Sequence, residues 1–184
     1  MLSRPVKPLV ALIAVIFFTA YAAVSLAQPV NLDGATAEVY FSPNGGCTDA
    51  IVAEIGKAKT EVLVQAYSFT SAAIAQALVD AHNRGLKVEV VLDKSQAGDK
   101  HSSAADLVAH AGIATFIDRS HAIAHNKIML VDRGIIITGS FNFSKAAEEK
   151  NAENLLIIKA SQELMERYVD NFQKHLAHSE EYKK

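Results

Sequence analysis

Helical and extended segments alternate along this chain, and one pair of strands is joined too tightly for a crossover. Together these features predict an α/β protein with a mixed β-sheet flanked by helices on both faces, in α-β-α layers. Half of the 184 residues are hydrophobic, which is enough to bury one sizeable core and too little for two domains. No internal repeat or low-complexity tract interrupts the pattern.

The first 27 residues differ in kind from the rest. Arg4 and Lys7 precede an uncharged apolar run from Leu9 to about Ala27, and Ser25-Leu26-Ala27 offers small residues where a signal peptidase reads. Residues 1–27 are therefore expected to be a cleaved signal peptide and residues 28–184 the mature domain, periplasmic or secreted. The alternative is a retained anchor over residues 9–27, because the uncharged stretch approaches the ~20 residues that span a bilayer.

Within 28–184 the elements follow in order. Glu38–Phe41 reads as a strand closed by Ser42-Pro43-Asn44-Gly45-Gly46. Thr48 or Asp49 caps a helix with Ile51, Val52, Ile55 and Ala58 on its apolar side. Glu61–Tyr67 is a strand, Ser71–Arg84 a helix carrying Ile74, Leu78 and Ala81 and stopped by Gly85, and Val88–Leu92 a strand. A loop over 93–101 leads to a helix from Ser103 to Ala111 and a strand over Ile113–Ile117. His125–Asp132 and Ile135–Ser140 are apolar strands joined by Arg133-Gly134, a hairpin signal. Leu155–Ile158 is a further strand, and Ser161 caps a last helix bearing Leu164, Tyr168, Phe172 and Leu176.

Chemistry concentrates in the second half. Alternate side chains of a strand share a face, so His125 and Lys127 point the same way and Asp132 has the opposite parity. An imidazole beside an ammonium suits attack on a phosphodiester: the histidine serves as nucleophile or proton carrier, the lysine neutralises phosphate oxygens. In Gly139-Ser140-Phe141-Asn142-Phe143-Ser144, the side chains of Ser140, Asn142 and Ser144 share parity and would offer donors to one oxyanion. Gly139 would let the backbone approach a ligand. Glu153 can hold a histidine ring in one tautomer. Asp132, just before Arg133-Gly134, fits a structural turn or ion-pair role better than catalysis.

His121 and His125 are four apart, which invites a metal reading. That spacing suits a helix, whereas this segment reads as extended, and no cysteine pair is present, so no metal site and no cofactor are expected. Cys47 is the sole cysteine, which excludes a disulfide within the chain; a small buried residue is the expected role.

His125, Lys127, Asp132, Gly139, Ser140 and Asn142, with Glu153 downstream, resemble the signature of the phospholipase D superfamily in order and spacing. Length, export signal and a single motif look most like its small bacterial endonucleases of the Nuc type. The resemblance implies a phospholipase D/nuclease-like fold. It also implies a phosphohistidine on one histidine and proton transfer by a second. As His-x-Lys occurs once, the second would come from a homodimer with a shared cleft. The Nuc-type relatives further imply DNA cleavage (RNA also being a candidate) with little sequence preference, without divalent cations, leaving a 5′-phosphate.

Charge bears on the substrate. Without Arg4 and Lys7, 16 Lys and Arg face 20 Asp and Glu, whereas broad nucleic-acid surfaces are usually basic. Phosphate binding must then be local, in a focused cleft. The rival function is a phospholipase D or cardiolipin hydrolase acting on phospholipid at a membrane. A third reading is a non-catalytic nucleic-acid-binding protein, which the full set of site residues disfavours.

Overall fold

In the computed structural model, residues 29–32, 34–98 and 103–183 are described. The expected signal peptide and its cleavage point at Gln28 lie outside them. No helix among the described residues is long and apolar enough to cross a membrane.

Eight strands form one sheet: β1 (Thr36–Ser42), β2 (Glu61–Ala66), β3 (Lys87–Asp93), β4 (Ala114–Asp118), β5 (Lys127–Val131), β6 (Ile135–Gly139), β7 (Glu153–Lys159) and β8 (Glu180–Glu181). Their order is β1-β7-β6-β5-β2-β3-β4-β8. Only the β2–β3 and β3–β4 pairs are parallel; the other five are antiparallel, so the sheet is mixed as expected. Helices α1 (Cys47–Lys57), α2 (Ala72–Asn83), α3 (Ser103–His110), α4 (Lys145–Glu149) and α5 (Gln162–Ala177) complete the layers.

The two faces have separate cores because strand side chains alternate. Val62 and Val64 of β2 face Ile51 and Ile55 of α1 and Ile74 and Leu78 of α2 in the larger cluster. Leu63 turns the other way, where it joins Val91, Ile128, Leu130 and Ile136 under Met165, Val169 and Phe172 of α5. The expected apolar faces of α1 and α2 are borne out. On α5 the fully buried stripe is Met165, Val169 and Phe172, with Leu164, Tyr168 and Leu176 partly buried beside it. Cys47 is completely buried, and burial, with a smaller contribution from Glu148, pushes its thiol up to about 11. The ordinary range is about 8.5, so this is an inert core thiol.

Three local expectations change. Gly46, in the left-handed region at φ 78°, precedes α1, and neither Thr48 nor Asp49 caps it. The carboxylate of Glu148 on α4 does so instead, accepting from Gly46 N at 3.0 Å and Thr48 N at 2.7 Å. The 93–101 segment is not all loop, since 94–97 form a 3₁₀ turn. The β5–β6 hairpin turns on Asp132 and Arg133, both at φ 51°, with Gly134 N donating to Val131 O at 3.0 Å. Two central residues at positive φ define the turn that matches strand twist, one position earlier than Arg133-Gly134 suggests.

This turn gives Asp132 its role. Its Oδ1 accepts from Thr60 N at 2.7 Å, Thr60 Oγ1 at 2.8 Å and Glu61 N at 3.1 Å, and its Oδ2 from Lys59 N at 2.8 Å. Burial pushes the carboxyl up, but these donors outweigh it and hold it below the usual range. The stabilisation is therefore complete above the unfolded pKa of about 3.9 and is lost as pH falls through the folded pKa. Asp132→Asn keeps the turn geometry and removes the charge, so it should cost about 2–3 kcal/mol at pH 7. The deficit should shrink below pH ~4. Urea unfolding at pH 7 and pH 3 checks this; equal deficits at both would refute the charge argument.

Candidate active site

The expected site residues, Asp132 excepted, gather at one end of the sheet. There β2, β3 and β4 finish, β5 and β7 begin, and the β6 segment ends at Gly139. Such an end, outside the carboxyl termini of parallel strands, is where open α/β sheets place ligands.

His125 lies just before β5 and its side chain is exposed. Its backbone is tightly placed. Ala124 N donates to the buried Asp93 Oδ2 at 2.7 Å, and Tyr67 N donates to Asn126 O at 2.8 Å. The Tyr67 ring lies against the imidazole, tilted by 53°, with ring centroids 4.5 Å apart. No hydrogen bond to protein holds the ring nitrogens among the described residues, which leaves them facing solvent.

Lys127 is only 7% exposed. Its Nζ donates to His125 O at 2.9 Å and lies 5.0 Å from the centre of the Tyr67 ring. Both contacts favour a cation. Burial nevertheless pushes the ammonium pKa down, and the Glu153 carboxylate only partly offsets that. With one hydrogen-bond acceptor for three N–H groups, the ammonium is under-satisfied in a dry position. An anion arriving beside it completes its shell.

The second cluster divides its work. Asn142 Oδ1 is buried and without a hydrogen-bond partner among the described residues. That oxygen is an acceptor and calls for an N–H or O–H donor, so a phosphate oxygen would be met by the Nδ2 end of the same amide. Ser140 Oγ accepts from Asn154 N at 3.1 Å and Asn154 Nδ2 at 3.2 Å, so it braces the start of β7 and keeps its own proton to donate. Ser144 does not join them. Its Oγ accepts from Ala147 N at 3.2 Å as the cap of α4. Glu153 Oε1 accepts from Asn151 Nδ2 at 3.2 Å and makes no bond to His125 within the chain. Its charge acts on Lys127 instead.

Sequence reasoning missed Tyr67 and Asp93. An aromatic and an acid at successive strand ends were the available signals. A cleft of about 430 Å³ is lined by Thr48, Ser71, Lys145 and Glu148 among others, and by no motif residue. Beside Tyr67 lies only an open hollow of about 200 Å³. Within one chain His125 and Ser140 are exposed above the buried Lys127.

Gly139 is needed for the fold itself. Its φ is 145°, and a Cβ there would overlap the backbone carbonyl of Asn154. The close approach is to β7, not to a ligand. Gly139→Ala should destabilise by roughly 1–3 kcal/mol from backbone strain, with a further cost as β6 is pushed off β7. Thermal unfolding of the variant tests this; an unchanged midpoint would contradict it.

The chain is similar to known proteins in sequence and fold. Residues 51–176 match the family model described as cardiolipin synthase, PLD-like domain. Over 132 residues the chain is 44% identical to a phospholipase D of Rickettsia conorii, covering 72% of this chain and 65% of that one. Over 107 residues it is 33% identical to a mitochondrial cardiolipin hydrolase of Xenopus tropicalis, covering 55% of this chain and 50% of that one. The chain thus spans between half and two thirds of the length of these relatives. The crystal structure of Nuc, a phospholipase D family member from Salmonella typhimurium, superposes with a TM-score of 0.78 at 35% identity, covering 82% of this chain and 99% of that chain. With a family model matched over residues 51–176 and the fold of Nuc superposing on 82% of its length, the chain belongs to the phospholipase D superfamily.

Proposed function

We propose that this chain is a phosphodiesterase that hydrolyses the DNA backbone without a catalytic metal, through a phosphohistidine formed on His125. One observation carries the reading: an exposed imidazole with free ring nitrogens stands beside a buried, under-satisfied lysine. A ring nitrogen attacks phosphorus while Lys127 and Asn142 hold the non-bridging oxygens. The leaving oxygen takes a proton, and water then displaces the histidine with return of that proton.

That proton needs a second histidine, and this chain supplies His-x-Lys once. A two-fold homodimer would bring the partner's His125 to the same phosphate and leave Glu153 free to orient a ring across the interface. The exposed form of the single-chain site supports this. So do Phe41 and Ile123, 65% and 59% exposed, of which Ile123 lies two residues before His125. The absence of a base-reading motif favours recognition through the phosphate backbone.

Phospholipid hydrolysis is the second reading. The names of the Rickettsia and Xenopus relatives favour it, and the apolar run over residues 9–27 would supply an anchor. Export to the periplasm or beyond goes with the nuclease reading.

The deciding assay compares supercoiled plasmid with cardiolipin vesicles, in EDTA, over the first minutes after its addition. Plasmid nicking at an essentially undiminished rate is expected. Loss in EDTA with recovery in Mg²⁺ would sink the mechanism, and turnover of cardiolipin alone would shift the substrate. Lys127→Ala should fold and lose turnover.

Dimers tagged differently on each chain test the shared site. A dimer with one His125→Ala chain can attack or protonate, but not both. Losing acid–base help costs ~10²–10⁴ in rate. Its activity should fall far below half; half the parent rate would show two independent sites.

A further inference from the structure

A second cluster of chemically capable side chains lies away from the motif. Asp118 ends β4 and is fully buried. His121 follows it by three residues, while His175 and His178 sit three apart at the end of α5. Three of the chain's seven histidines thus converge on one carboxylate oxygen. Asp118 Oδ2 lies 2.9 Å from His121 Nδ1, 2.8 Å from His175 Nδ1 and 3.2 Å from His178 Nε2. The four ligand atoms all lie within 4.8 Å of one another.

Hydrogen bonding alone serves this arrangement poorly. One carboxylate oxygen has two lone-pair directions and here faces three ring nitrogens, while Oδ1 already accepts from Ser120 N at 2.9 Å. A cation among the four atoms resolves the crowding, since each neutral ring then directs a lone pair inward. An ion bound tetrahedrally at about 2.0–2.1 Å has ligand–ligand edges of roughly 3.3 Å. The three Asp–His edges are already near that length, and the His–His edges, none longer than 4.8 Å, would close by ring rotation on binding. His121 and His178 have side chains 44% and 36% exposed, so their outer nitrogens can remain hydrated. The Ser120 N–H orients the carboxylate from behind.

We propose that Asp118, His121, His175 and His178 form a Zn²⁺-class transition-metal site that clamps the end of α5 to the loop carrying His125. Three imidazoles and one carboxylate suit Zn²⁺, Co²⁺ or Ni²⁺ and suit Mg²⁺ or Ca²⁺ poorly. Four protein ligands fill a tetrahedron and leave no open position, the mark of a structural site. His125 is outside the set. His121 does not pair with His125, four residues on; its partners are Asp118 and two histidines at the end of α5. The clamp also has a target: Lys94 Nζ donates to His121 O at 2.9 Å, and the same loop is pinned at Ala124 by Asp93.

The test uses the full chain in detergent, purified with a histidine-free tag, stripped with EDTA and dialysed. ZnCl₂ is titrated calorimetrically and CoCl₂ by visible absorption. One ion per chain, intense tetrahedral Co²⁺ bands and a rise in the unfolding midpoint of roughly 5–10 °C at a hundredfold excess over Kd are expected. His178→Gln and His121→Asn should weaken binding roughly tenfold or more. His110→Gln, outside the cluster, should bind like the parent. Zinc-edge absorption on the unmutated chain should read four nitrogen or oxygen ligands at about 2.0 Å, no sulfur, and the outer-shell scattering of imidazoles, and stands even where a variant misfolds. No binding, an octahedral Co²⁺ spectrum, or variants that bind like the parent would overturn the site. The His125→Ala chain should bind Zn²⁺ one to one while inactive, so the metal inference and the phosphodiesterase reading fail separately.

Discussion

The carboxylate of Asp132 draws backbone N–H groups from Lys59, Thr60 and Glu61, and by doing so joins the β5–β6 turn to the start of β2. These strands lie about seventy positions apart in sequence, and a slip of one residue between them would turn every side chain of β5 to the wrong core. With the register held, Val62 pairs with Val131 at one end and Ala66 with Lys127 at the other. The clamp thus acts at the far end of β5 from the chemistry. Met129 and Leu130 pack into opposite cores, and Lys127 reaches the sheet end against Tyr67.

Burial does the electrostatic preparation at that end. An ammonium at 7% exposure between an aromatic face and one carbonyl is held where water screens it little, so its field is strong. In a chain whose 20 acidic residues outnumber its 18 basic ones, one such group can attract phosphate more effectively than scattered surface lysines. The open form of the site follows from the same placement. The protein surrounds Lys127 closely and leaves the side chain of His125 exposed beside it.

The layers, the mixed sheet and most elements were legible because hydrophobic period and turn residues are local signals. The motif was legible for the same reason, lying within one hairpin and the strand after it. What escaped was decided by contacts distant in sequence. Ser144 has the right parity for the oxyanion, yet the free N–H groups of a five-residue helix claim it. Gly139 reads as room for a ligand, and the crowding comes from Asn154. The cap of α1 arrives from Glu148, a hundred positions on. His121 suggested its neighbour His125, while the fold gives it Asp118 and two histidines from the last helix. No period or spacing carries such pairings.

The first strand of the sheet has its partner in the last third of the chain: Thr36 pairs with Lys159 and Ser42 with Glu153. As the chain leaves the ribosome from its amino end, β1 is among the earliest strands made and among the last to be paired. Until β7 appears, its amide and carbonyl edges are open, and Val39 and Phe41 stand on it exposed. The delay belongs to β1 alone, since β2, β3 and β4 pair with their neighbours in chain order and β5 with β6 through a tight turn. Closing the loop from β1 to β7 is the entropically costly step, and it completes the sheet edge only after the local units exist.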